Sequence, residues 1–418
     1  MVEEKISKSV EFCMPFEGHS SALSHQFPVV VANAKDSLQT LDFPTTRSEE
    51  WKYTRTTRIT SESWKISDES ASIDIQPYLI PDLNADVIVF VNGFFRKELS
   101  SPSFESGVNI SQTLNTNSLP DAVNVFQSIH TAYCTSVISI VVEKNIQLKN
   151  PIHILHFNDT ALGCAMPLVE VIAEVGSQSH FVESFISTIE EKTFSHRHLL
   201  LNVHENARVH FDKIQSQSDN HFLLNDEQVS VASNGNFTVN TITIDGGWVR
   251  NNLHISLDGQ NIEANLNGVF FPRKKQLVDN HTKVDHRLPH CNSNELYKGL
   301  IDDQGSGVFN GKVYVHPDAQ KTNAFQSNAN ILLSDDAQMN TKPELEIYAD
   351  DVKCSHGTTT GQLDESAMFY LKARGIGEEN ARKLLATAFI NDVLLKISNH
   401  AVRDFVTKEL VERSLIFI

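Results

Sequence analysis

The chain has 418 residues, and 52 acidic against 35 basic residues give it a formal net charge of −17. Such an acidic surplus repels polyanions, which argues against general binding of nucleic acids or anionic membranes. The length suggests two or three domains, or one longer solenoid. Five cysteines without any C-x-x-C pair argue against a disulfide scaffold and favour a reducing, cytoplasmic environment.

The first part of the chain predicts helices and irregular connections. Charged and apolar residues alternate at helical spacing up to about residue 39, and residues 121–134 predict a further helical patch. Between them, residues 41–80 are rich in Ser, Thr and Pro and predict irregular structure. We expect no signal peptide and no membrane span, because no apolar run is long enough for either. Residues 1–85 are therefore predicted to form an N-terminal helical and irregular region.

Short runs with period-two alternation fill residues 86–361. They are rich in Val, Ile, Phe, Thr and Asn and are separated by Asn, Asp and Gly turns, which is typical of many short strands. Similar turn sequences recur at loose spacings of roughly 18 to 30 residues. This repeat predicts a β-solenoid core, in which each coil buries its apolar face on the next. A β-sandwich, or a pair of them, is the alternative that the pattern leaves open.

Residues 362–418 predict a C-terminal helical domain. A first short helix begins near Asp364 and ends at Gly375 and Gly377, and the next begins with an acidic pair that suits the helix dipole. We expect one apolar face of this domain to dock on the solenoid and another to meet a partner. The apolar stripe of the second helix consists of Ala381, Leu384, Leu385, Ala388, Phe389, Val393 and Leu394.

A C-x-H pair, Cys354 and His356, is the sharpest candidate for chemistry. In a strand, residues i and i+2 project to the same side, so the thiol and the imidazole would lie together. Both groups bind iron, zinc and copper, but a stable iron-sulfur site normally needs four ligands. A site shared with a second subunit would therefore bind its metal transiently. In the alternative interpretation the two residues merely pack, in a purely structural interaction protein.

Other histidines suggest a stand-alone metalloenzyme as a further alternative. His281, His286 and His290 lie close together in sequence, and His196 and His198 have the i, i+2 spacing of a strand. Against an enzyme, the chain has no G-x-x-x-x-G-K-[ST] phosphate loop, no H-E-x-x-H zinc motif and no nucleophile elbow. We therefore predict a protein that is not an enzyme.

Several longer motifs resemble one family. The stretch KPELEIYADDVKCSHG, residues 342–357, resembles the C-terminal signature of the SufB/SufD family of the Suf iron-sulfur cluster assembly system. The motifs NSNELYKG at 292–299 and GVFNGKV at 307–313 are similar to it too, and EEWKYT at 49–54 is a mark of the SufD branch. Gly357, where SufB proteins typically carry Glu, also favours that branch. The resemblance covers essentially the whole chain.

The resemblance implies a right-handed parallel β-helix with helical ends and a role as a scaffold subunit. It implies pairing with SufB through the end of the β-helix and binding of the SufC ATPase through the C-terminal helical domain. We expect the part of the apolar stripe around Leu384, Leu385, Ala388 and Phe389 to support the SufC contact. A nascent cluster would form at the SufB interface, with His356 and the neighbouring Cys354 as shared ligands. The isolated chain would hold no iron-sulfur cluster stably, and it could form a homodimer without SufB. Sulfur would be received by SufB, so the resemblance implies no persulfide role for Cys13, Cys134, Cys164 and Cys291.

Overall fold

The computed structural model describes residues 7–67, 73–117, 119 and 122–417, so the start of the predicted N-terminal helix and Asp121 lie outside the described residues. The α-helices are α1 (Lys8–Cys13), α2 (Pro28–Ser37), α3 (Thr57–Thr60), α4 (Val125–Tyr133), α5 (Glu365–Ala373), α6 (Glu378–Leu394) and α7 (His400–Glu412). The strands are β1 (Lys65–Ile66), β2 (Asp86–Val91), β3 (Phe94–Phe95), β4 (Val108–Ser111), β5 (Ser136–Val142), β6 (Ile152–Asn158), β7 (Gly163–Ala165), β8 (Pro167–Ala173), β9 (Gln178–Ser187), β10 (Thr193–Val203), β11 (Arg208–Ser216), β12 (His221–Val231), β13 (Asn236–Asp245), β14 (Trp248–Leu257), β15 (Glu263–Phe270), β16 (Leu277–His286), β17 (Asn292–Ile301), β18 (Ser306–Val315), β19 (Asn323–Leu332), β20 (Gln338–Ile347) and β21 (Lys353–Gly361).

The strands form a β-solenoid of about eight turns, which confirms the predicted fold class. The first sheet has the order β20-β18-β16-β14-β12-β10-β8-β5-β4, and the second has the order β21-β19-β17-β15-β13-β11-β9-β6-β2-β3. From β8 onward, successive strands alternate between the two sheets, so each coil contributes one strand to each sheet. The solenoid strands β2 to β21 lie within the predicted core, while the three-region division of the chain stays a prediction.

The pairing register defines the length of a coil. Phe211 pairs with Val239 and Val239 pairs with Leu266, so these coils take 28 and 27 residues, while Gln326 pairs with His356 after 30. The shortest spacing in the predicted repeat, between the turns at 316–319 and 334–337, is not the length of a coil. The turn at 316–319 joins β18 to β19, whereas the turn at 334–337 joins β19 to β20, at the opposite corner of the coil.

The space between the two sheets holds an apolar core of Val, Ile, Leu and Phe side chains. It also contains a buried group that we call the interior charge cluster: Arg197, Glu183, Glu227 and Lys213. Arg197 donates from Nε to Glu183 Oε1 at 2.9 Å, and its Nη1 lies 2.9 Å from Glu227 Oε1. Lys213 Nζ donates to both Glu227 oxygens at 2.8 Å. Two positive and two negative groups therefore balance within the core.

The N-terminal region packs on the outer face of the first sheet. Trp51, from the EEWKYT motif, stacks on Phe126 of α4 with ring centroids 5.1 Å apart. The guanidinium of Arg250 lies 3.9 Å from the centre of the Trp51 ring and donates to the backbone oxygen of Glu50 at 2.8 Å. The motif thus fastens the N-terminal segment to β14 through stacking and a buried cation.

The C-terminal helices α6 and α7 pack on the outer face of the second sheet. In the predicted stripe on α6, Ala388 is exposed and Leu384 and Leu385 are half-buried, so this part of the stripe is not covered by the solenoid. Phe389 does reach the solenoid, where its backbone oxygen accepts a hydrogen bond from Lys298 Nζ at 2.7 Å. The buried face of α6 consists of Ala381, Ala386, Ile390, Val393 and Leu394.

Helix α5 differs from its neighbours because it has no buried residue. Two adjacent aromatic side chains, Phe369 and Tyr370, are 75% and 57% exposed. None of the helices in the described part of the chain is long and apolar enough to cross a membrane.

Candidate functional site

The last coil leaves one end of the solenoid uncovered, and we call this the open end. It consists of β20 and β21, each of which has a hydrogen-bonded neighbour on one side only. No residue of these two strands is fully buried. A free strand edge presents a row of backbone N–H and C=O groups that can pair with another chain. The open end is therefore the part of the solenoid best suited to extend into a second protein.

Cys354 and His356 both lie on β21, at the open end. Cys354 pairs in register with Ala324, and His356 pairs with Gln326, both of which are buried. Because the two residues are separated by one position in a strand, their side chains share the face that looks into the solenoid. Cys354 is half-buried against the small apolar cluster around Ala324, whereas His356 is exposed.

The thiol of Cys354 is not activated within the single chain. Burial raises its pKa, so the sulfur carries its proton at neutral pH. A thiol must lose this proton to become a metal ligand, and a bound metal ion or a positive charge from another chain would favour that loss.

One interior residue from each coil stacks in register beneath His356. This interior column begins with apolar side chains and ends with polar ones. From the buried end to the open end it consists of Phe181, Phe211, Val239, Leu266, Glu295, Gln326 and His356.

Glu295 and Gln326 are both buried, and Gln326 has a spare acceptor atom. Gln326 Nε2 donates to Glu295 Oε2 at 2.6 Å, and the hydroxyl of Thr282 donates to the same carboxyl group, while Gln326 Oε1 has no hydrogen-bond partner among the described residues. Burial raises the pKa of Glu295 to about 7, against the effect of its hydrogen bonds. A buried carboxyl group thus lies two coils beneath His356, where it can hold or release a proton near neutral pH.

Sequence reasoning gave no role to Glu295 or Gln326. Glu295 lies within the quoted motif at 292–299, but only the register shows that it belongs beneath His356. A usable signal was the spacing, because Glu295, Gln326 and His356 follow one another at intervals of 31 and 30 residues.

The structure does not bring His281, His286 and His290 together. His281 lies beside the carboxylates of Asp279 and Glu50 at 3.0 and 3.3 Å. His286 is buried, five positions further along the same strand, and its Nε2 contacts Ser293 Oγ at 2.8 Å. His290 is exposed in a turn. The three histidines form no group that could hold one metal ion, so this predicted alternative site is wrong.

Two other histidine groups do assemble within the described residues. His196 and His198 meet Asp226 on the outer face of the first sheet, and a second group on the other sheet contains His180, His210 and Asp212. The four cysteines other than Cys354 are buried.

Comparisons with known proteins agree with this architecture. Residues 156–389 match the SufBD core domain of SUF-system FeS cluster assembly, and residues 19–136 match the SufBD protein N-terminal region. The iron-sulfur cluster assembly protein SufD of Escherichia coli is 29% identical over 379 residues, which cover 88% of this chain and 89% of that protein.

Two further relatives come from photosynthetic organisms. An iron-sulfur cluster assembly SufBD family protein of Synechocystis is 30% identical over 390 residues, covering 87% of this chain and 86% of that protein. A chloroplastic protein of Arabidopsis thaliana, ABCI7, is 27% identical over 397 residues, covering 89% and 83%. The predicted resemblance is confirmed, and the chain belongs to the SufBD family of iron-sulfur cluster assembly proteins.

Proposed function

We propose that this chain is a non-enzymatic scaffold subunit that contributes His356 and Cys354 to a transient iron-sulfur site shared with a SufB-type partner. The observation that carries the proposal is the position of both donors on the uncovered last coil. Within the described residues, no third His, Cys, Asp or Glu side chain joins them at the range of a common ion. The remaining ligands must therefore come from another chain, and the cluster is cargo that the complex assembles and passes on.

The free edges of β20 and β21 support pairing at this end. Each edge offers nine or ten residues to a strand from a second solenoid. Apolar side chains exposed beside them, Phe325, Ile347 and Tyr348, would be covered in such a contact. A second copy of this chain has the same edges, which makes a homodimer the expected alternative when the SufB-type partner is absent.

His356→Ala is expected to lower the iron and sulfide content of a complex co-expressed with SufB and SufC by roughly tenfold or more, since a ligand is lost. Assembly of the complex should persist, because strand edges pair through backbone atoms. Iron and sulfide analysis of the complex, purified by size exclusion under anaerobic conditions, measures both properties. His316→Ala is the matched control, because it removes a half-buried imidazole from the preceding coil. Unchanged iron in His356→Ala would show that this residue is not a ligand.

We further propose that the SufC ATPase binds the C-terminal helical domain through α5. Leu384 and Leu385, which the sequence suggested for this contact, are half-buried, whereas Phe369 and Tyr370 remain exposed on a helix with no buried residue. Adjacent exposed aromatic side chains are typical anchors of protein interfaces.

Replacing Phe369 and Tyr370 together by serine is expected to weaken SufC binding by about 30-fold or more, because aromatic anchors contribute about 2 kcal/mol or more at interfaces. Biolayer interferometry with purified SufC measures this change. Val411→Ser, which removes an exposed apolar side chain from α7, is the control and should bind as the unmodified chain does. Equal affinity in all three proteins would exclude α5 as the SufC contact.

A further inference from the structure

Three donor atoms converge on the outer face of the first sheet, away from the open end. His196 Nε2 lies 2.8 Å from Asp226 Oδ2, and His198 Nε2 lies 3.4 Å from the same oxygen. The two imidazole nitrogens are 3.0 Å apart. His196 and His198 lie two positions apart on β10, so their side chains share one face of the strand. Asp226 on the neighbouring strand β12 pairs in register with His198. The geometry of two adjacent strands thus creates this triangle.

Asp226 Oδ2 can accept a hydrogen bond from each imidazole, but the close approach of the two nitrogens leaves one contact of the triangle without a directed hydrogen bond. Each Nε2 atom has either one N–H or one lone pair, so it can make one well-directed hydrogen bond. His196 Nε2 nevertheless faces both Asp226 Oδ2 and His198 Nε2 at hydrogen-bond distance. A cation between them would be coordinated by all three atoms at once. The separations suit ligand atoms that each lie about 2.0–2.2 Å from a common ion.

The surroundings hold these donors in place. Asp226 Oδ1, the oxygen that does not face the histidines, accepts a hydrogen bond from Asn252 Nδ2 at 2.8 Å. The ring of His130 stacks on His198 with centroids 3.6 Å apart and an interplanar angle of 5°. Such outer contacts are the usual support of a metal ligand, because they fix its orientation.

The second histidine group has the same composition but a different geometry. There, His180 and His210 contact opposite oxygens of Asp212, at 2.8 and 3.1 Å. Asn240 Nδ2 donates to Asp212 Oδ1 at 2.6 Å and also contacts His210 Nε2 at 3.1 Å. The carboxylate bridges the two rings instead of joining them at one point, so this group is satisfied without an ion.

A surface cavity borders the triangle at Asp226. This cavity of about 600 Å³ is lined by Asp226 and its partner Asn252, together with Trp51 and Phe126. Three protein ligands with access on one side leave a coordination position for water or another small ligand.

We propose that His196, His198 and Asp226 bind a divalent first-row transition-metal ion, of the class of Zn²⁺ or Fe²⁺. Imidazole nitrogen with one carboxylate oxygen is a donor set that suits these ions. The site is separate from Cys354 and His356, and it does not depend on the proposed role of the open end.

Zinc titration of the purified, untagged full chain tests the proposal, with a chromophoric chelator as competitor. The unmodified chain is expected to bind one equivalent at this site with micromolar or better affinity. His198→Gln and Asp226→Asn should each lose that equivalent or bind it at least tenfold more weakly. His180→Gln and His356→Ala are the matched controls and should retain it. Unchanged zinc binding in both His198→Gln and Asp226→Asn would overturn the proposal.

Cobalt substitution provides a readout that does not depend on the folding of a variant. Co²⁺ at a site of nitrogen and oxygen ligands should give visible d–d absorption without the strong near-ultraviolet charge-transfer band of a thiolate ligand. This spectrum in the unmodified chain is the expected result. A thiolate band as the main signal, or no spectral change with equimolar Co²⁺, would contradict binding at the triangle.

Discussion

Arg197→Leu is expected to lower the free energy of unfolding by about 3–5 kcal/mol, because it removes one partner of a buried ion-pair network and leaves the others in place. The guanidinium lies between Glu183 and Glu227 in the core. Without it, Lys213 still faces Glu227, but the two carboxylates exceed the remaining cation by one charge. An uncompensated charge in the interior has no water to solvate it, so the folded state becomes less stable.

Arg287→Leu is the matched control for this prediction. Its guanidinium contacts Asp258 at 2.7 Å, but the two side chains are 47% and 31% exposed. Surface ion pairs contribute about 0–1 kcal/mol, so this variant should change little. Equilibrium unfolding in urea, followed by circular dichroism, compares the two variants with the unmodified chain. An Arg197→Leu effect no larger than that of Arg287→Leu would mean that the cluster does not hold the core together.

The position of Arg197 shows how far alternation alone can predict the fold. Leu199, Leu201 and Val203 are the apolar members of the alternating run in β10, and they face inward. Extending their parity toward the N-terminus also places Arg197 inside. A prediction from the sequence would nevertheless end the buried run before Arg197, because arginine side chains are rarely buried. Only the partners on other coils, Glu183 and Glu227, make its burial possible, and their proximity depends on tertiary structure.

The candidate site, too, could be predicted from the sequence only in part. A short motif was enough to suggest Cys354 and His356, because side chains two apart in a strand share a face. The same parity could have excluded a site built on His281 and His286, which are five positions apart and so face opposite sides of β16. Glu295 and Gln326 required more, since their place beneath His356 depends on the length of whole coils. That length varies from coil to coil, and the loose turn spacing in the sequence does not define it.

Glu295→Gln is expected to stabilise the isolated chain by up to about 3.5 kcal/mol at pH 8 but by only about 1 kcal/mol at pH 5. Burial raises the pKa of Glu295 to about 7, whereas a glutamate in an unfolded chain titrates near pH ~4.3. Between these two values the folded state binds more protons than the unfolded state. The free energy of unfolding therefore falls as pH rises through this window and stays lower above it.

The substitution keeps the hydrogen bonding while it removes the ionisation. The oxygen of a glutamine at this position can accept from Gln326 Nε2, and the hydroxyl of Thr282, which faces the same group, can accept from the new amide. Glu344→Gln is the control, because Glu344 is only half-buried on the last coil and pairs with Lys342. That change should shift the free energy of unfolding by less than about 1 kcal/mol at either pH.

Urea unfolding at pH 5 and pH 8 measures the difference between the two conditions. A Glu295→Gln variant that is equally stabilised, or equally destabilised, at both values would show that Glu295 does not titrate in this window. The isolated chain is the right material, because a cation bound near His356 in a complex would favour the ionised carboxylate and offset its cost. A carboxyl group that weakens the isolated solenoid at pH 8 therefore becomes compatible with the fold once a positive charge is bound at the open end.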